Sequence, residues 1–160
     1  MYSEAKPNIE HIRAVAEDIA ARLTKEHGIS ISAETADRYS FIILPCGTEP
    51  IIQISEVDAG MSPLSADIFY GDCFEELFSV DFKDDAAFAA AVCDFVNGFF
   101  GRRIRVTRKS RFLGGVETRT EYLENGEWKL LSEKSDTSFL MRILAWSSKT
   151  TVSEYDFRLN

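Results

Sequence analysis

Six cations and no anion fall within Arg102–Arg111 (RRIRVTRKSR), and their spacing gives them a defined geometry. In an extended strand alternate side chains share a face, so Arg103, Arg105, Lys109 and Arg111 line up with Thr107 among them. Successive side chains on that face lie about 6.6 Å apart, a spacing comparable to that of phosphates along a nucleic-acid strand. Such a ladder suits RNA, single-stranded DNA or an acidic protein. The next predicted strand carries Glu117 and Glu121, however, and a hairpin turning at Gly114-Gly115 sets Arg108 opposite Glu121. Cross-strand ion pairs of that kind are ordinary on an exposed hairpin and worth little individually. Tyr122 is the one aromatic near the ladder, whereas single-strand binders add several stacking rings.

Other reactive side chains do not converge. His11 and His27 are the only histidines. Sixteen residues apart on one predicted helix, they point about 160° away from each other, and neither lies in an H-E-x-x-H pattern. They cannot share a metal ion or serve a distant cysteine or serine nucleophile. Asp81, Asp84 and Asp85 could form a carboxylate site for magnesium or calcium, but Asp84 and Asp85 also suit the first turn of a helix. Glu75 and Glu76 are adjacent on a predicted strand and point to opposite faces. Neither a G-x-S-x-G elbow nor a glycine-rich phosphate loop is present. No catalytic, cofactor-binding or metal-ligating residue is therefore assigned. Cys46, Cys73 and Cys93 are odd in number and far apart, which fits buried thiols better than a disulfide framework.

The elements that carry these residues follow from periodicity. A helix is predicted over 7–27, where Ile9, Ile12, Ala16, Ile19 and Leu23 form one narrow stripe and Gly28 caps the end. It is expected at the surface of the domain, or paired with its copy in a homodimer. A second helix is predicted over 84–100, with Phe88, Val92, Phe95 and Phe99 on one stripe between alanine-rich flanks. It is expected at the centre of the core.

Predicted strands run from Arg38 to Leu44, Ile51 to Val57, Asp67 to Tyr70 and Phe74 to Phe82, with a loop over Asp58 to Ser65. In the fourth, Phe74, Phe78, Val80 and Phe82 are expected to face the core. A meander follows: Arg103 to Phe112, Val116 to Leu123, and Trp128 to Ser132. Its second turn is Asn125-Gly126, the strongest hairpin signal in the chain. A last strand fits Thr151 to Leu159. Residues 138–146 suit either a short third helix or an extended segment. The expected architecture is a single α+β domain over 1–160, a mainly antiparallel sheet with two principal helices packed on it.

Bulk composition narrows the function. The 160 residues are 45% hydrophobic with four prolines, which suits a globular chain with a full core. No apolar run is long enough for a transmembrane helix, and Met1 to Glu10 lacks the pattern of a signal peptide, so a cytoplasmic location away from membranes is expected. The net charge of −8 is uneven, since residues 49–94 hold eleven acids against Lys83 alone. That acidic middle either keeps a sheet soluble or forms a patch for a basic partner.

At the level of element order, the first hundred or so residues resemble the small acidic chaperones of type III secretion, which wrap an unfolded segment of a secreted partner. Small acidic immunity proteins share the bulk properties. Both comparisons imply a non-enzymatic, cofactor-free module that binds another protein. Nucleic-acid or phosphate-ligand binding through residues 102–111 is the alternative, and a small enzyme or ligand-binding domain without a recognisable motif the second.

Overall fold

The computed structural model describes residues 8–37, 39–47, 49–58, 61–71, 73–111, 115–135 and 148–157. Among these described residues the chain is α+β, with two α-helices and two antiparallel sheets. It divides into two compact units, residues 1–97 and 98–160.

In the first unit, α1 (Ile9–His27) begins at Asn8, whose Oδ1 accepts the His11 N–H at 3.2 Å. It ends at Gly28, which takes φ 68° and returns its amide to the Thr24 carbonyl. Glycine adopts that left-handed cap without a Cβ clash. The second helix, α2 (Asp85–Asn97), starts behind Asp84, whose carboxylate accepts the Ala87 N–H at 2.8 Å. Between the helices runs a meander of β1 (Ala33–Thr35), β2 (Ser40–Ile43), β3 (Ile51–Asp58), β4 (Met61–Tyr70) and β5 (Cys73–Phe78). The strands keep that order in space, each antiparallel to its neighbour.

Both helices lie on the same face of this sheet. Phe41, Ile43, Ile52, Ile54, Ala66 and Ile68 line it and are buried. The Arg13 guanidinium stands over Phe41, and Tyr70 meets Phe95 at a ring separation of 6.4 Å. Each large aliphatic buried here contributes about 1.5–3 kcal/mol. The helices run parallel, because His11 Nε2 meets Asp85 Oδ2 at 2.7 Å at their starts and His27 Nε2 meets Asn97 Oδ1 at 2.7 Å at their ends.

Several expectations are corrected. The helix expected at the periphery, α1, crosses β1, β2 and β3, while α2 covers the β5 edge. The stripe of α1 (Ile12, Val15, Ala16, Ile19, Ala20, Leu23) is buried along its whole length. The buried face of α2 is Phe88, Ala89, Val92, Cys93 and Val96; Phe95 is half-buried and Phe99 lies beyond the helix end. The edge strand β1 falls in what reads as a polar link, since only pairing with β2, not an apolar pattern, defines it.

The expected loop over 58–65 is largely strand. β4 reaches back to Met61, and Pro63 sits beside an irregularity in the β3–β4 register, beyond the last β5 partner of β4 at Ser65. A proline there forfeits no ladder bond. The expected fourth strand stops at Phe78, where a 3-10 turn at Ser79–Asp81 begins and Ser79 Oγ accepts the Leu64 N–H at 2.8 Å. Its facing is also reversed. Tyr70 points to the helices and pairs with Cys73, so Phe74, opposite Phe69, points away.

The second unit is a sheet of β6 (Arg103–Arg111), β7 (Val116–Glu124), β8 (Glu127–Ser135) and β9 (Ser148–Asp156), in spatial order β8-β7-β6-β9. Asn125 and Gly126 take φ 53° and 82°, and Leu123 faces Trp128, the predicted type I′ hairpin. Ile104, Val106 and Thr120 are buried on one face. Phe99 packs edge-on against Phe157 at 5.3 Å, and the Phe157 amide donates to the Arg102 carbonyl. The segment 138–146, with Pro7, Gly114 and Leu159, lies outside the described residues.

Candidate functional site

Two sheet faces carry the charges singled out by sequence. The first is the predicted ladder. Register places Arg103, Arg105, Thr107 and Lys109 on one face of β6, with Glu121 and Glu117 of β7 and Glu154 of β9 on that same face. The hairpin is displaced by three residues from a turn centred on Gly114-Gly115: Arg105, not Arg108, pairs with Glu121, and Arg108 pairs with Thr118. An odd displacement exchanges faces, and here it delivers the glutamates of β7 to the ladder.

The ladder is accordingly knitted to carboxylates. Arg103 Nη2 contacts Glu154 Oε2, and Arg105 donates from Nε and Nη2 to Glu121 Oε2 at 3.0 and 2.8 Å. Arg119 reaches the other Glu121 oxygen at 3.1 Å. Glu121 is only 5% exposed, a carboxylate buried under two guanidinium groups. Arg105 also lies over the Trp128 ring, 4.3 Å from its centroid, which adds a cation–π contact. Lys109 stands opposite Glu117 and Thr150 in register. The side chain of Arg111 is outside the described residues. At the base of β6, Arg102 meets Glu124 at 2.9 Å and covers Tyr122. Lys129 bonds the other Glu124 oxygen, and that bond is the main cause holding the Glu124 carboxyl below its usual range.

The second face is the side of the five-stranded sheet away from the helices. Register arranges its side chains in three rows. The middle row is polar except for Ile42: Glu34, Ile42, Gln53, Asp67 and Glu76, one from each strand. On one side of it runs an apolar row of Ile51, Phe69 and Phe74. On the other run Ser40, Ser55 and Ser65, ending at Phe78. The serine row is tied internally, with Ser55 and Ser65 hydroxyls 3.2 Å apart and Gln53 donating to Ser40 at 3.3 Å.

The apolar row stands open. Phe74 is 55% exposed and Phe69 38%, their rings 6.2 Å apart. Asp67 beside them has a buried Oδ1 with no hydrogen-bond donor. Burial first, and then the neighbouring Glu76 charge, raise its carboxyl above the usual range. Sequence reasoning found the acids but counted Phe74 as core. The signal that could have placed it is the tight turn around Gly71, which fixes Phe74 opposite Phe69 rather than opposite Tyr70.

Elsewhere the reactive side chains serve the packing. His11 and His27 each bridge α1 to α2, at opposite ends of the pair. The thiol of Cys93 is buried against the Ile19 carbonyl, and burial pushes both it and Cys46 up to about 11, so both stay protonated near neutrality. An open depression of about 340 Å³ between the helices is lined by Arg22, Lys25, Glu26, Ala90, Cys93 and Asp94. Arg22 there is paired with Asp18 and Glu26 with Asn97. Among the described residues, no group of three or more histidine, cysteine, aspartate or glutamate side chains could hold a metal ion. No helix among them is long and apolar enough to cross a membrane. No protein-family model, no curated protein and no solved structure matches the chain.

Proposed function

We propose that the chain is a small acidic, non-enzymatic module that binds another protein through the outer face of its five-stranded sheet, in the manner of a chaperone or an immunity protein. The observation that carries this reading is the exposed Phe69–Phe74 pair set beside Asp67 and Glu76. Aromatic anchors rimmed by charge are what protein interfaces are enriched in. Two adjacent phenylalanines exposed on the outer side of a sheet form an apolar patch of the kind that protein interfaces use. Three free cysteines with no disulfide fit work in the reducing cytoplasm.

Nucleic-acid binding through the ladder is the weaker reading, because Arg103 and Arg105 already hold carboxylates that a phosphate would have to displace. The test is affinity capture from the native host with the wild-type chain, a Phe69→Ser/Phe74→Ser variant and an Arg103→Gln/Lys109→Gln variant. The reading expects a protein that the first variant loses and the second retains. Retention by the phenylalanine variant, or retained oligonucleotide that only the ladder variant loses, would refute it.

A further inference from the structure

The depression of about 340 Å³ between α1 and α2 lies between two clamps. His11 ties α1 to Asp85 at one end of the helix pair, and His27 ties it to Asn97 at the other. The walls are therefore set before anything enters, which lowers the cost of binding. Each helix supplies three lining residues at one spacing, Arg22, Lys25 and Glu26 from α1 and Ala90, Cys93 and Asp94 from α2. Positions i, i+3 and i+4 share a helix face, so both triplets turn towards the same space.

The charges there are of both signs and partly uncommitted. Arg22 donates to Asp18 through Nε, and Glu26 accepts from the Asn97 amide through Oε2. Among the described residues, Lys25 and Asp94 take no ion pair and no side-chain hydrogen bond, although they carry opposite charges and line one depression. The rest of the lining, Ala90 and Cys93, is apolar, the thiol being buried and protonated near neutrality. A phosphate entering this space would meet Glu26 and Asp94, and a metal ion would meet Arg22 and Lys25. A ligand that carries both signs satisfies all four.

We infer that the depression binds a free α-amino acid, its carboxylate held by Lys25 and the Arg22 Nη groups and its ammonium by Asp94 and Glu26 Oε1. An aliphatic side chain then rests against Ala90 and Cys93. The volume suits a ligand of that size, at the small end of the range of about 300–1,000 Å³ for ligand pockets. The helices cover the face of the sheet opposite the Phe69–Phe74 pair, so this site is independent of the protein-binding reading.

The test uses the full chain, ¹⁵N-labelled, titrated with L-leucine, with leucinamide, which lacks the carboxylate, and with N-acetyl-leucine, which lacks the ammonium. Leucine is expected to shift the amides of Lys25, Glu26, Ala90 and Asp94. Each blocked form should bind about tenfold more weakly, the loss of one charged set of hydrogen bonds. Lys25→Gln should weaken leucine and leave leucinamide unchanged, whereas Asp94→Asn should weaken leucine and leave N-acetyl-leucine unchanged. Both side chains are exposed, so each variant should keep the native dispersion of the spectrum. Equal binding of the three compounds, shifts confined to other residues, or no shift with leucine at millimolar concentration would overturn the inference. Shifts at these amides with a leucine peptide blocked at both ends, but not with leucine, would also overturn it and put a peptide segment in the depression instead.

Discussion

Removing Arg105 asks whether the basic strand is a structural element or a free surface. Arg105→Gln takes away two charge-assisted hydrogen bonds to Glu121, at 3.0 and 2.8 Å, and the cation–π contact with Trp128. Fully exposed ion pairs contribute about 0–1 kcal/mol, whereas breaking a fully buried pair costs about 3–5 kcal/mol. The Glu121 side chain is 7% exposed and that of Arg105 29%, so the pair falls between these limits. With a cation–π contribution of about 0.5–1 kcal/mol, the expected loss is about 1.5–2.5 kcal/mol. Arg119→Gln removes a half-exposed partner of the same carboxylate and should cost about 0.5 kcal/mol.

Urea unfolding followed by tryptophan fluorescence is the assay, since both tryptophans, Trp128 and Trp146, fall in the second unit. At an m-value of about 2 kcal/mol/M, Arg105→Gln should lower the midpoint by roughly 1 M. The double-mutant cycle with Glu121→Gln should give a coupling of about 1–2 kcal/mol. A coupling below about 0.5 kcal/mol, or equal costs for Arg105→Gln and Arg119→Gln, would show that the ladder is not held from within.

Phe88→Ala, which empties a fully buried site packed against Phe82, should cost about 3–5 kcal/mol in denaturant unfolding; half-buried Phe95 truncated to alanine should cost about half as much. Asp67→Asn should raise the melting temperature at neutral pH, by an amount that calorimetry would register as about 1 kcal/mol or less. The sign follows from linkage: the folded pKa lies above the model value of 3.8, so the native state takes up the proton first as pH falls. The ionised group therefore lowers stability above its folded pKa, and the advantage of asparagine should fade as pH falls through that value. Gly126→Ala at φ 82° should cost about 1 kcal/mol or more, read from the same fluorescence transition as Arg105→Gln. Cys93 should resist iodoacetamide at pH 7 and react only on unfolding, because its thiol is pushed up to about 11.

What was legible in the sequence was mostly local. Helix ends at Gly28 and Asp84 and the Asn125-Gly126 hairpin depend on side chains within a few residues of each other. Ile52 and Ile54 alternate cleanly with Gln53 and Ser55, and β3 formed as read. What was misread depends on pairing between strands. The three-residue displacement in β6–β7 reassigned every partner of the ladder, and the facing of Phe74 was set by the preceding turn rather than by its own hydrophobicity. Glu121 gives no sign in sequence that it is buried, and its two arginine partners, Arg105 and Arg119, follow only from the register. Arg103, Arg105 and Lys109 share one face of β6, while the carboxylates that hold Arg103 and Arg105 became visible only with the register.

The central claim is that contact with a partner occurs on the outer face of the five-stranded sheet. The most direct measurement is photo-crosslinking in the native host, with benzoylphenylalanine in place of Phe74 or, separately, of Val152, which is exposed on the ladder face opposite Thr107. The account predicts a discrete protein adduct at position 74 that Asp67→Asn/Glu76→Gln weakens, and none at position 152. An adduct at position 152 with none at position 74 would contradict it.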